Sequence, residues 1–296
     1  MFPPKTDEAG AGSVAKGALA LTASAFGFAV MAALVRLSDD FGEPLSTFQK
    51  SFFRNVVALV IALAVFFRRG GGVPRLDAPG ASILFLRSAL GTCGLFLNFY
   101  AISHIPIAEP QTLNKTAPFF TVISAWLFLG EKAKAAQILP LLVAFAGVLL
   151  VAKPGFAGEA AFPLAMGLLS GVCAGSAYAC LRALRRREVD SAFIVMFFSA
   201  FSCIVSIPFA AATFTPMTAA QVAILLGAGA GAALGQFGIT AAYGFAAPRD
   251  IAVYDYSSIL FAAALGYAIF GQIPDVWSAL GFVLIVLAAF RLHRGA

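Results

Sequence analysis

Apolar stretches alternate with short polar segments along the whole chain. Ten such stretches cover residues 14–37, 46–67, 79–103, 110–129, 136–152, 161–183, 191–210, 219–242, 252–270 and 275–292. About twenty apolar residues let a helix cross the hydrocarbon core of a bilayer. A helix also satisfies its own backbone donors and acceptors where no water is at hand. The pattern therefore predicts an all-α integral membrane protein with ten transmembrane helices. Pro110, Pro163 and Pro274 fall at or near predicted helix starts, where a missing N–H costs little. Pro118, Pro140 and Pro208 lie further inside and predict bends.

The fourth and fifth stretches flank a polar hinge, Gly130-Glu131-Lys132, within the segment Pro106 to Lys153. The same design returns from Arg249 to His293, where the hinge Gly271-Gln272 stands 141 residues later. At that offset Glu109 falls on Asp250, Asn114-Lys115 on Asp255-Tyr256, Pro140 on Gly281 and Gly147 on Ala288. Weaker echoes link residues 48–53 (FQKSFF) to 193–198 (FIVMFF), and Val35-Arg36 to Leu181-Arg182. Two units are expected, 14–152 and 161–292, after a polar tail at 1–13. With five helices in each, the second must run inverted to the first. Two inverted five-helix repeats around a central cavity are a transporter design, because each half supplies one gate.

Composition fixes the class more firmly. Of 296 residues, 60% are hydrophobic and 11% charged, against about 45–50% and 25% in soluble domains. That apolar surface cannot be hidden in one water-soluble core. The net charge of +6 is too small and scattered for nucleic-acid binding. It is explained by the loops. With the N-terminus inside, fourteen of the twenty basic residues lie in inside segments. The outside loops hold only Lys153, and five basic residues fall within helices. The positive-inside rule then puts both termini in the cytoplasm, with a bacterial inner membrane as the expected location. The first apolar stretch is too long for a signal core and lacks a small-x-small cleavage site. The four cysteines sit in apolar stretches without CxxC spacing and read as packing residues.

Enzyme signatures are absent. There is no G-x-S-x-G, no H-E-x-x-H and no phosphate loop, so ATP hydrolysis within the chain is excluded. The two histidines, His104 and His293, lie toward opposite faces. No cofactor or metal is expected. The segment GAGAGAALG lacks the nucleotide-binding register. Its glycines 227, 231 and 235, like 167, 171 and 175, recur every fourth residue and predict close helix contacts. The sequon Asn114-Lys115-Thr116 lies within a membrane helix and is not a glycosylation signal.

Leu86 to Lys132 (LRSALGTCGLFLNFYAISHIPIAEPQTLNKTAPFFTVISAWLFLGEK) resembles the signature of EamA-type transporters of the drug/metabolite transporter superfamily. Leu234 to Gln272 (LGQFGITAAYGFAAPRDIAVYDYSSILFAAALGYAIFGQ) does so too. The resemblance covers nearly the whole chain as two units. It implies ten helices, cytoplasmic termini, inverted repeats and a cavity with alternating access. Members export amino acids and other metabolites, and some import nucleotide-like compounds or vitamins. The hinge acid typical of the family is present as Glu131 but is Gln272 in the second half, so the hinge reads as structural.

Polar residues inside helices are the binding candidates, since a charge at mid-membrane costs about 2.5–3.5 kcal/mol on insertion scales. They are Arg54, Arg87, Asn98, Gln111, Asn114, Lys115, Gln236, Tyr243, Asp255 and Ser258. Arg87, Gly91, Gly94 and Asn98 form one stripe, Gln236, Thr240 and Tyr243 another. Ser199, Ser202 and Ser206 form a third, whose hydroxyls are as well suited to bonding their own backbone. Lys50 and Arg36 read as snorkelling interface residues. Counting depth along straight helices separates Lys115 from Asp255 by more than about 10 Å across a core of about 30 Å. It sets Arg87 beside Asp255 and Arg54 beside Lys115, so the outer cavity should be cationic. The expected function is secondary active transport of small organic metabolites, amino acids or related carboxylate-bearing compounds, chiefly export, with the proton as a candidate coupling ion. A membrane-embedded binding or structural protein without net transport is the alternative.

Overall fold

The computed structural model of the chain describes residues 11–68, 70, 72–105, 108–130, 135–152, 161–273 and 276–295. The hinge pair Glu131-Lys132, residues 1–10 of the tail, Lys153 and Pro274 lie outside them. The described residues are helical throughout, joined by turns. α1 (Ala11–Leu37), α2 (Thr47–Arg68) and α3 (Ala78–His104) come first. The short α4 (Ala108–Asn114) and α5 (Ala117–Leu129) follow, then α6 (Ala135–Ala152). The second half holds α7 (Ala161–Arg186), α8 (Ser191–Ala212) and α9 (Ala219–Phe245). It ends with α10 (Pro248–Ile251), a 3₁₀ turn at Ala252–Tyr256, α11 (Ser257–Phe270) and α12 (Val276–Gly295).

Six of these helices, α1, α2, α3, α7, α8 and α9, are each long and apolar enough to cross a membrane. Large apolar side chains such as Phe128, Ile204, Phe214 and Trp277 stand exposed on the outside of the bundle. A water-soluble monomer does not carry so extensive an apolar surface, whereas lipid accepts it.

The fourth and ninth apolar stretches are not the continuous helices expected of them. Each is broken near its middle. In the fourth, Pro118 has no amide to offer the carbonyl of Asn114, so the α-helical ladder fails there. Lys115 and Thr116 close the gap with tighter bonds, Lys115 N to Thr112 O at 3.0 Å and Thr116 N to Leu113 O at 3.1 Å. In the ninth stretch the backbone tightens into the 3₁₀ turn that carries Asp255. Both segments end alike. Gly130 and Gly271 adopt left-handed φ values of 68° and 64°, and their amides bond back to Trp126 O and Tyr267 O. Only glycine takes that conformation without strain, which explains why this pair keeps the 141-residue offset.

α1 packs most extensively on α9, α3 on α7, α2 on α8 and α6 on α12; α4 and α5 lean on α7, and α11 leans on α1. Glycines permit the closest crossings. A Cβ on Gly27 of α1 would stand 2.7 Å from Gly231 O and 2.8 Å from Gly235 N of α9. At one end of the bundle, Leu21, Phe66, Leu84, Leu181, Phe193, Ile239 and Ile251 form an apolar cluster shared by α1, α2, α3, α7, α8, α9 and α10. The opposite end is tied by polar contacts. Lys50 Nζ meets Asp39 Oδ2 at 2.6 Å and Ser103 Oγ at 2.8 Å, and Gln221 Nε2 donates to Ser38 O and Glu43 O. Lys50 is thus a buried, paired cation and not a snorkelling one; Asp39 in the connecting turn supplies its counter-charge. Arg36 likewise turns inward and donates to Ile102 O and Ser103 O.

At the apolar-cluster end, Asp77 caps α3 by accepting from Gly80 N, and Arg187 Nη1 reaches both its carboxylate oxygens, at 2.7 and 2.8 Å. The hydrogen bond from Arg187, then that from Gly80, holds the Asp77 carboxyl below its ordinary value of 3.8. A lowered carboxyl pKa contributes stability above the unfolded-state value and loses it as pH falls through the folded-state value. Asp77→Asn is therefore expected to retain the cap and flatten the acid limb of thermal unfolding measured in detergent from about pH 7 to 3. An unchanged acid limb would show that the pair adds nothing. The effect should be small and salt-sensitive, because the pair is exposed.

Candidate functional site

The two breaks face each other in the interior of the bundle, and there the residues depart from the depth count. Lys115 Nζ lies 3.0 Å from Asp255 Oδ2, with the two side chains 4% and 3% exposed. The expectation that they stand more than 10 Å apart is wrong. Breaking each helix frees its mid-membrane residue from a straight rod, and the four-carbon arm of lysine spans the rest. A pair this buried has lost its hydration, so each partner depends on the other's charge.

Beside this pair lies a polar cavity of about 660 Å³, its open mouth included, lined among others by Arg54, Arg87, Asn98, Gln111, Asn114, Lys115 and Gln236. Seven of the ten sequence candidates thus meet at one place. They come from α2, α3, α4, the first break and α9. Asp255 joins through Lys115. Tyr243 is set back: its ring centroid is 5.9 Å from that of Tyr178, which does line the cavity, and its carbonyl accepts from Arg182 Nη1. Ser258 is fully buried and is not among the lining residues, and its Oγ has no partner among the described residues.

Arg87 is not beside Asp255 in the sense expected. Its Nη2 donates to Gln236 Oε1 at 2.8 Å, and its guanidinium carbon lies 3.9 Å from the centroid of the Phe198 ring. Arg54 approaches the same ring at 5.9 Å. Its Nη1 donates to Asn55 Oδ1 at 2.8 Å and its Nε to Met31 Sδ at 3.3 Å. Neither guanidinium has a carboxylate partner among the described residues. Arg54 is 1% and Arg87 2% exposed. Cation–π contact with Phe198 offsets part of their lost hydration, but it neutralises no charge.

Several polar atoms here have no partner among the described residues: Arg87 Nε and Nη1, Gln111 Nε2, Asn98 Oδ1 and Asp255 Oδ1. A buried polar group without a partner is costly, so a cluster of them around one cavity marks a place built for a polar guest. Asn114 is held by donating to Ser170 Oγ of α7 at 3.0 Å. Of the serine stripe, Ser206 bonds its own helix at Ser202 O, whereas Ser202 Oγ accepts from Asn55 Nδ2.

The sequence reading missed Phe198, Tyr178, Met31 and Asn55. Aromatic and apolar residues carry no signal among thirty phenylalanines. Asn55 had one, as a polar neighbour of Arg54 inside an apolar stretch.

The model of the EamA-like transporter family matches residues 15–153. The Pseudopaline exporter CntI of Pseudomonas aeruginosa (strain UCBPP-PA14) is 32% identical over 94% of this chain and 96% of its own length. The chain belongs to the EamA-like transporter family. Other relatives of this EamA protein are the riboflavin transporter of Brucella anthropi and the S-adenosylmethionine uptake transporter of Rickettsia bellii. The first is 29% identical over 82% of this chain and 87% of its own length, the second 27% identical over 85% of each. A crystal structure with 18% identity superposes with a TM-score of 0.73 over 93% of this chain and 98% of that one, which shows the fold. The EamA protein is a small-metabolite transporter of the membrane, not one of the enzyme classes.

Proposed function

We propose that this EamA protein is a secondary active exporter of small organic anions, chiefly carboxylate-bearing metabolites, working by alternating access. The observation that carries the reading is the pair Arg54 and Arg87, buried in a polar cavity with no carboxylate partner among the described residues. Guanidinium forks match carboxylate geometry and form charge-assisted bonds with it. The likeness to an exporter across nearly the whole chain favours the outward direction.

The architecture proposed is ten crossings in two inverted repeats, 14–152 and 161–292. The helix pairings support it. Exchanging the halves maps the α1–α9 contact onto α7–α3, α5–α7 onto α11–α1 and α2–α9 onto α8–α3, and leaves α2–α8 and α6–α12 in place. The end bearing Asp77 and Arg187 is taken as cytoplasmic, from the distribution of basic residues. Lys115 and Asp255 join the two broken helices across the repeat boundary, where substrate or a proton can exchange with the ion pair.

The test is uptake into proteoliposomes against a panel of amino acids, organic acids, amines and neutral metabolites, with and without a proton gradient. Carboxylate-bearing compounds should be taken up, and Arg87→Gln should reduce that uptake at least about tenfold at equal protein level. Binding without uptake would leave a non-transporting membrane protein. Uptake confined to amines or neutral compounds would reject the anion reading.

A further inference from the structure

We infer that the substrate is a dianionic organic acid, one bearing two carboxylates or an equivalent pair of negative groups. This rests on the anion-transport reading and narrows it. Three cations line the cavity, Arg54, Arg87 and Lys115, each at most 3% exposed. One carboxylate, Asp255, answers them among the described residues, and it is taken by Lys115 at 3.0 Å. Two positive charges are left, both on guanidiniums.

The neighbours of those guanidiniums are neutral: Asn55 Oδ1 and Met31 Sδ for Arg54, Gln236 Oε1 and the Phe198 face for Arg87. Arg87 also keeps Nε and Nη1 without an acceptor, and Gln111 Nε2 adds a third unused donor nearby. An unneutralised buried charge is expensive, and closing the cavity over it raises the cost. A zwitterion leaves the surplus unchanged. A monoanion removes half of it. A dianion removes it all and supplies the oxygen acceptors that the unused donors lack.

Geometry sets the scale. Both guanidiniums sit on one ring, 3.9 and 5.9 Å from its centroid, so the two acid groups need only a short spacer. A cavity of about 660 Å³ is within the range of small-molecule sites, with room for more than the acid groups alone.

The experiment is isothermal titration of the purified full chain in detergent with matched acids: succinate and phthalate against butyrate, benzoate and 4-aminobutyrate. The diacids should bind at least about tenfold more tightly than their monoacid partners and 4-aminobutyrate, roughly 1.4 kcal/mol. Arg87→Gln lowers the surplus to one charge and should shrink the diacid preference to within about threefold. Arg87→Lys should keep the preference at lower affinity. Equal wild-type binding of monoacids, the zwitterion and diacids overturns the inference. So does an Arg87→Gln variant that weakens both classes by one factor, or binding of none of the acids. Should Arg87→Gln fail to fold, the wild-type selectivity decides alone. Proteoliposome uptake of monoanions without dianions sinks this inference and spares the anion reading; uptake of amines or neutral compounds alone sinks both.

Discussion

Asp255→Asn should destabilise the protein by about 3–5 kcal/mol and abolish transport. Asparagine keeps the shape and the acceptor oxygen but removes the charge that faces Lys115. The lysine is 3% exposed, so water cannot replace that charge. Lys115→Met should cost a similar amount for the converse reason, with Asp255 left buried and charged. The combined variant, Lys115→Met with Asp255→Leu, removes both charges and should recover most of the stability, since a buried pair replaced by apolar residues is often neutral or better. It should not recover transport, because the substrate-facing ion pair is gone. Thermal unfolding in detergent measures the first effect as a double-mutant cycle, and proteoliposome uptake the second. Additive losses in the double variant would show that the two charges do not interact.

The second large effect concerns the wall behind the broken helix. A Cβ on Gly175 of α7 would lie 2.5 Å from Ala117 O, 2.7 Å from Phe120 Cβ and 2.9 Å from Thr121 N. Two of these are backbone atoms at the start of α5, so no side chain can swing aside. One on Gly171 would collide with Thr116 Oγ1 and come 2.8 Å from Leu113 O. Gly175→Ala should therefore cost about 1–3 kcal/mol, and Gly175→Leu should prevent assembly. Even where the alanine variant folds, moving α5 shifts Ala117, two residues from Lys115, and uptake should fall severalfold. Gly227→Ala is the control. Its Cβ meets only the flexible Leu34 Cδ1 at 3.2 Å, and alanine suits a helix better by about 0.5–1 kcal/mol. That variant should be neutral or slightly stabilised. Equal tolerance at Gly175 and Gly227 would refute the tight contact.

Much of the binding cavity was legible before folding, for one reason. A polar or charged side chain in a membrane helix is too costly to face lipid. That argument alone gathers Arg54, Arg87, Asn98, Gln111, Asn114, Lys115 and Gln236, and the structure puts all seven around one cavity. It fails for Tyr243 and Ser258, whose polarity is spent inside the protein. It also misjudged Lys50, because Asp39 lies in a turn eleven residues earlier and periodicity cannot report a contact across a turn.

The sequence by itself determined the membrane class, the number and place of the apolar stretches, and the repeat at 141 residues. These follow from local chemistry: apolar length against bilayer thickness, and glycine where the backbone needs φ near +65° at Gly130 and Gly271. Only the tertiary structure decided which polar residues meet. Lys115 and Asp255 are counted from opposite faces of the membrane, and on straight rods they stay apart. Pro118 and the 3₁₀ turn break those rods, α7 and α1 hold the pieces together, and two charges at the breaks close to 3.0 Å. A contact of that kind depends on where two distant helices bend, and hydrophobic spacing along the chain does not encode it.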